Sequence, residues 1–261
     1  MNMYYAGLII LVIAVLMAMV GKGGGNYYVL TLVLFGVSMY QAASTSQSMM
    51  LGTSIAAMLI FHKNKRVDWK LALVIAPFIY IMAFIGGYFA DKVEATTLKI
   101  VFASLLILVS LFMFLKVKER KLKVVHKFGY WNREFNGHNY VVNLWLTIPI
   151  TAVIGLFAGA TGISGGAFII PLMVMLCGVP MEVAIGTSSA MVSTTALMGL
   201  LGYSLNGNFN LKFALPLIII AIIGGIIGGS IALKSKPKNL KIIFAFTNLF
   251  AGILMLINIL S

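Results

Sequence analysis

The chain has 261 residues, of which 61% are hydrophobic and 10% charged, and 19 basic side chains stand against 6 acidic ones for a formal charge of +13. With a mean hydropathy of +1.04, this composition excludes a water-soluble domain, which could not hide so much apolar surface, and it calls for a lipid bilayer as solvent. The basic excess lies mostly in loops, where it fits anionic head groups and topology control; nothing in it points to nucleic acid.

Apolar segments predict about ten membrane helices, at 4–20, 27–43, 45–61, 71–90, 98–115, 144–160, 167–178, 184–202, 213–233 and 241–260. The first lacks a basic n-region and a small-residue cleavage site, so it reads as a retained helix rather than a signal peptide. Segments 27–43, 144–160 and 167–178 are near the lower limit for a ~30 Å core. All three adjoin glycine turns, which predicts tilted helices or hairpins that stop part-way across.

The two halves of the chain repeat one another. Gly86–Ala103 (GGYFADKVEATTLKIVFA) returns as Gly228–Ala245 (GGSIALKSKPKNLKIIFA), with 9 of 18 positions identical at an offset of 228 − 86 = 142. The turn Gly23-Gly24-Gly25 is matched by Ser164-Gly165-Gly166, and Ser44-Thr45-Ser46 by Gly186-Thr187-Ser188. Such a repeat in a greasy chain is the mark of a transporter made of two related bundles. Loop charges set their orientation. His62–Lys70 holds Lys63, Lys65, Arg66 and Lys70, and the 116–143 stretch is strongly basic, whereas Asp91–Lys99 is balanced. In the second half Tyr203–Lys212 has only Lys212, and Lys234–Lys241 has four lysines and no acid. Equivalent loops therefore carry opposite bias, which predicts inverted halves of five segments each, with both termini outside. The expected organisation is an all-α polytopic membrane protein. Residues 1–115 form the first repeat, 116–143 a basic cytoplasmic linker with Tyr130 and Trp131 at head-group level, and 144–261 the second repeat.

The candidate chemistry lies at the breaks. Gly21-Lys22-Gly23-Gly24-Gly25-Asn26 and Gly162-Ile163-Ser164-Gly165-Gly166 interrupt apolar stretches and precede new helices. Uncovered amides and the positive end of a helix dipole make such a bend an anion site built from backbone. Lys22 reads either as a partner for that anion or as a turn lysine reaching the inner head groups. The run Ser44-Thr45-Ser46-Gln47-Ser48 and its match Thr187-Ser188-Ser189 read as helix starts, so that capping hydroxyls and free amides from four helix N-termini would converge on one guest. The expected substrate ligands are Lys22, Gly23, Gly24, Gly25, Asn26, Thr45, Ser46, Gln47, Ser164, Gly165, Gly166, Thr187, Ser188 and Ser189.

Other chemistries find little support. GKGGG lacks the spacing of a Walker loop. None of the acids Asp68, Asp91, Glu94, Glu119, Glu134 and Glu182 falls mid-span, so no proton relay is visible, and Glu182 reads as a complement to a helix dipole. His62, His126 and His138 have no metal-site spacing, Cys177 is the lone cysteine, and no pairing of nucleophile and base stands out. Catalysis, a metal and a cofactor are therefore not expected.

These motifs resemble those of the TauE/SafE family of sulfite and organosulfonate exporters. The family pattern GxGGGxxxxP, then A-x-x-T-S, then V-D-W, is matched in the second half by Gly162–Pro171 (GISGGAFIIP) and Ala184-Ile185-Gly186-Thr187-Ser188. In the first half it is matched by Gly21–Leu30 (GKGGGNYYVL), Ala42-Ala43-Ser44-Thr45-Ser46 and Val67-Asp68-Trp69. Leu30 replaces the proline, and Lys22 an apolar residue. The resemblance implies export of small sulfur-containing anions such as sulfite or sulfoacetate, with a small anion and the bilayer as partners. An anion channel of the same shape and a membrane assembly factor without transport are the alternatives, and assembly with further copies of the chain is left open.

Overall fold

A computed structural model describes residues 3–92, 127–161, 165–205 and 209–260, with residue 207 and isolated positions between 94 and 111. Among these, nine α-helices follow one another: α1 (Met3–Met19), α2 (Gly25–Leu34), α3 (Met39–Lys63), α4 (Trp69–Tyr88), α5 (Leu144–Thr161), α6 (Gly166–Pro171, continued by a π turn at Leu172–Leu176), α7 (Met181–Leu205), α8 (Leu211–Lys234) and α9 (Pro237–Leu260). The helical positions described between 100 and 111 fall in the stretch predicted at 98–115, and position 96 is also helical. By length and composition α4, α5, α7 and α8 suffice to cross a membrane. With 10 residues, α2 reaches only about 15 Å, half a hydrocarbon core.

The outer surface is as apolar as the interior, and buried hydroxyls sit within the apolar core. Leu73 is 69% exposed and Ile81 61%, while Ser44 to Ser48 and Thr187 to Ser189 are buried. Apolar rims with hydroxyls turned inward are what a bilayer selects, because lipid cannot hydrogen-bond to a hydroxyl.

The packing is reciprocal. Helix α4 lies chiefly against α5 and α7, and α8 chiefly against α1 and α3. These are the same partnerships, exchanged between the halves. The repeated glycines make them. A Cβ on Gly86 would strike the Leu156 carbonyl of α5, and one on Gly228 would strike the Val15 carbonyl of α1. Their neighbours match in turn: Gly87 faces Gly199 of α7, and Gly229 faces Ala57 of α3. Small residues let these backbones touch.

Two expectations need correcting. The linker is not free of sheet: Tyr130–Phe135 (β1) and His138–Asn143 (β2) pair antiparallel across an Asn136-Gly137 turn. Both turn residues have positive φ, 50° and 74°, the conformation that closes a two-residue hairpin. The hairpin lies on one end of the bundle. Asn136 Nδ2 donates to the Lys65 carbonyl, the Val141 amide to Cys177 O at 3.2 Å, and Arg66 Nη2 to Leu233 O at 3.2 Å. The loops after α3 and α8 therefore share a face with the hairpin and the turn after α6. Ala43, Ala90 and Tyr203 cluster at another locality, joining the start of α3 to the ends of α4 and α7.

The second correction concerns the hydroxyl runs, which do not start helices. The break falls at Gly36 (φ 84°) and Ser38, so α3 begins at Met39; α7 begins at Met181, directly after Pro180. Ser44–Ser48 and Thr187–Ser189 lie inside these helices, where their amides belong to the ladder. The runs are tolerated there because several hydroxyls bond back to the previous turn, Ser48 to Thr45 O at 2.7 Å and Ser189 to Ile185 O at 3.0 Å. Four converging helix N-termini are thereby reduced to the two bends.

Candidate functional site

The first bend ends α1 with backbone bonds from the Gly21 amide to Ala18 O and the Lys22 amide to Met17 O. The chain then reverses with φ of 72° at Gly23 and 93° at Gly24, values that favour glycine, and α2 starts without a side-chain cap. The Tyr27 and Tyr28 amides both donate to Gly24 O, at 3.0 and 3.1 Å, and the amides before them precede the helical ladder. In the second bend Gly162, Ile163 and the candidate Ser164 lie outside the described residues; Gly165 and Gly166 open α6.

The two bends touch. A Cβ on Gly166 would lie 2.9 Å from Gly21 O and 3.0 Å from Ser188 Oγ, and Ser188 donates to Gly21 O at 2.9 Å. Helix α9 braces both. The Lys22 ammonium is fully buried, donates to Phe244 O at 3.0 Å, Thr247 Oγ1 at 2.8 Å and Asn248 Oδ1 at 2.5 Å, and lies 4.0 Å from the Phe244 ring centroid. This burial sets aside the reading of Lys22 as a head-group lysine. Asn248 turns its other end to the second bend, where Nδ2 donates to Ala167 O at 3.3 Å. Pro171 has no N–H to offer that carbonyl, so the asparagine supplies the missing donor. Leu30, in the place of that proline, lets α2 run on as α-helix to Leu34.

Helix α3 lines the first bend. Ser46 donates to Gly25 O at 2.8 Å, and Gln47 Nε2 to Ala158 O of α5 at 3.0 Å. Five buried side-chain atoms here have no partner: Asn26 Nδ2 and Oδ1, Thr45 Oγ1, Gln47 Oε1 and Ser54 Oγ. The Ser54 hydroxyl faces Gly23, 2.5 Å from where a Cβ would stand. An orphaned buried polar atom costs about 1–3 kcal/mol. Several in one region mark a place where a bound polar guest would complete the bonding.

The hydroxyls of α7 are engaged instead. Thr187 Oγ1 accepts from the Asp68 amide at 3.0 Å. Asp68 is buried, caps α4 by accepting from the Lys70 and Leu71 amides, and receives Arg133 of the hairpin through Nε at 2.9 Å and Nη2 at 3.0 Å, together with the Tyr140 hydroxyl. Burial opposes its charge. The bonds from Arg133, Tyr140 and the Leu71 amide outweigh that and hold the carboxyl below its ordinary value. Glu182, expected only to favour a helix dipole, also pairs with Arg66 at 3.3 Å. His62 accepts from Trp69 Nε1 at 2.9 Å, and His126 lies outside the described residues. No group of three metal-ligating side chains occurs among the described residues.

Three residues of this region were not singled out as site residues from the sequence. Asn248 carries a signal, being an amide in the middle of an apolar helix. Asp68 and Arg133 stand 65 positions apart, and no spacing rule joins them.

A bundle of apolar-rimmed helices with two broken helices meeting around buried polar groups defines a polytopic helical membrane protein. Residues 6–255 match the family model described as sulfite exporter TauE/SafE, and the chain belongs to that family. It is 26% identical over 246 residues to the probable membrane transporter protein YunE of Bacillus subtilis, covering 90% of each chain. To the probable membrane transporter protein MJ0441 of Methanocaldococcus jannaschii it is 24% identical over 262 residues, covering 94% of this chain and 92% of that one. A probable membrane transporter protein of Xylella fastidiosa is 26% identical over 223 residues, with 84% and 81% covered. The family and these relatives make the chain a membrane transporter.

Proposed function

We propose that the protein is a carrier, not an enzyme, that exports small anions across the cell membrane by alternating access, with sulfite or an organosulfonate as substrate. Ten segments in two inverted five-segment repeats form the transport unit. The exchanged partnerships of α4 and α8 support the repeat. Inversion is supported by the loops after α3 and α8 sharing a face, since these close non-equivalent positions of the two halves. That face carries the basic loops, so it is cytoplasmic and both termini are outside.

The observation that carries this reading is the contact between the two bends beside unpaired buried polar groups. Asn26, Thr45 and the amides of Gly23 to Gly25 donate to the anion; Gln47 Oε1 accepts from a hydroxyl or protonated oxygen of the guest. The Lys22 charge supplies positive potential behind them. Ser46 braces the first bend through Gly25 O; Gly165, Gly166, Thr187, Ser188 and Ser189 form the opposing wall, and Ser164, expected there from the sequence, lies outside the described residues. Outward movement of an anion needs no coupling ion, because the membrane potential favours exit by about 2.3 kcal/mol per charge per 100 mV.

The test is purified protein in liposomes, given sulfite, sulfoacetate, sulfate and carboxylate controls under an imposed potential. Saturable flux with counter-transport is expected, together with a thermal shift that grows with ligand saturation. Flux that does not saturate would make it a channel. No flux of any of these anions would remove the proposal.

A further inference from the structure

The repeat gives every residue of one half a counterpart, and one pair of counterparts is not in the same condition. Asp68 and Asn210 are 142 positions apart, and each caps the fourth helix of its half: Asp68 through the Lys70 and Leu71 amides, Asn210 through the Phe213 amide at 3.2 Å. Leu71 and Phe213 are themselves 142 apart. Thr45 and Thr187 are the matching hydroxyls on α3 and α7. In the first pairing the loop is shut on the helix: the Asp68 amide donates to Thr187 Oγ1, and Gly186 meets the Arg66 carbonyl closely enough to exclude a Cβ. In the second pairing the bond is missing. Thr45 Oγ1 is buried with no partner, so the Asn210 amide does not reach it, and Asn210 is exposed whereas Asp68 is buried.

The register already allows the missing contact. Gly87 faces Gly199 as Gly229 faces Ala57, so α8 runs along α3 as α4 runs along α7, and its first residue comes level with Thr45. A chain with twofold-related halves that shuts one such contact and opens the other is in one of two exchangeable states.

What selects the state is not part of the repeat. The hairpin occurs once among the described residues, and of the two caps it holds the acid: Arg133 forks onto Asp68 and Tyr140 joins it. An asparagine at position 210 could not anchor an arginine in this way. We infer that the linker hairpin is a one-sided lock on the transport cycle, in which Arg133 and Tyr140 hold Asp68 against Thr187, and release exchanges that contact for one between the Asn210 amide and Thr45 Oγ1. Thr45 and Thr187 are then positioning residues of the two states, and the Thr45 hydroxyl, a donor to the anion in the state seen here, accepts the Asn210 amide in the other.

The inference rests on the alternating-access reading, and its test needs no substrate. Amide hydrogen exchange is followed in the full chain in lipid nanodiscs, in peptides covering 66–71 and 209–214. In Arg133→Gln the first segment exchanges about tenfold faster, the loss expected for a charge-assisted contact, while the second exchanges more slowly; Arg133→Lys, which keeps charge without the fork, falls between. Faster exchange in both segments, or in the hairpin alone, would overturn the lock. Thr45→Val keeps shape and removes the acceptor of the other state, so it slows 66–71 and speeds 209–214; no change in either would overturn the exchange. Should Arg133→Gln fail to fold, Thr45→Val still decides. Opposite-signed exchange without any anion flux would retain the two states and discard the carrier, and the converse would do the reverse.

Discussion

The two bends are equivalent in sequence and unequal in chemistry. The first carries a buried ammonium and continues into a ten-residue α-helix. The second carries Pro171, and its α-helix gives way to a π turn after six residues. All the unpaired buried side-chain atoms among the described residues, on Asn26, Thr45, Gln47 and Ser54, belong to the first half. Their counterparts are apolar or already bonded: Ala196 stands for Ser54, Ser189 bonds back to Ile185, and Thr187 holds Asp68. One half keeps unfilled hydrogen-bonding valences, whereas at the matching positions Ser189 and Thr187 of the other half are already bonded. Similar packing in the two halves therefore coexists with different chemistry at the two bends.

The glycine contacts test the symmetric part and carry the largest expected effect. Gly86→Ala and Gly228→Ala each drive a methyl into a backbone carbonyl across a helix pair, which rigid backbone cannot relieve. Each should cost about 3 kcal/mol or prevent assembly. Fluorescence-detected size exclusion with a thermal ramp measures this. Equal losses support equivalent interfaces, and a large loss at one site alone would break the equivalence.

Next comes Lys22→Met, which tests the asymmetric part. It keeps length and removes the charge, leaving Asn248 Oδ1 without its donor at about 1–3 kcal/mol, while Thr247 Oγ1 still donates to Ile243 O and Phe244 O. A fall in melting temperature and loss of anion binding should appear together. A fully stable variant that still binds the anion would remove Lys22 from both roles.

How far this site could be read in advance follows from what each feature depends on. The bends were legible because glycine clusters act through the backbone alone, and their meeting followed from the repeat. The hydroxyl runs misled because serine and threonine favour helix starts; here the starts were set by Gly36-Val37-Ser38 and by Pro180, and the hydroxyls turned inward along the helix. The hairpin has a local signal in Asn136-Gly137 between two short runs rich in aromatic and β-branched residues, set within a stretch whose basic charge reads first as a linker. The Asp68–Arg133 pair and the Lys22–Asn248 bond are different in kind. They join residues 65 and 226 positions apart, and their existence depends on helix placement that no local pattern encodes.

Thr45→Val and Ser54→Ala sharpen the contrast at smaller scale. Each removes a buried oxygen that has no partner, so each should raise stability by about 1 kcal/mol in the absence of substrate, with weaker anion binding for Thr45→Val. Stability lost rather than gained would mean that these hydroxyls are satisfied in the resting protein.

The smallest effect is expected from pH, and its smallness is informative. Asp68 is held below its ordinary value and Arg133 above its own, each through the other. A depressed carboxyl contributes stability that is complete above its unfolded value, about 3.9, and is lost as pH falls through the lower folded value. Hairpin docking should therefore be level from pH 5 to 9, on the order of the whole physiological window, and should fail only in stronger acid. Trp131, 5.8 Å from the Arg133 guanidinium, reports the docking by fluorescence once Trp69 and Trp145 are replaced by phenylalanine. A transition near neutrality would remove the Asp68–Arg133 pair from control of the docking. A level response confines the pH sensitivity of any measured transport to the substrate and the bends, where the two halves differ most.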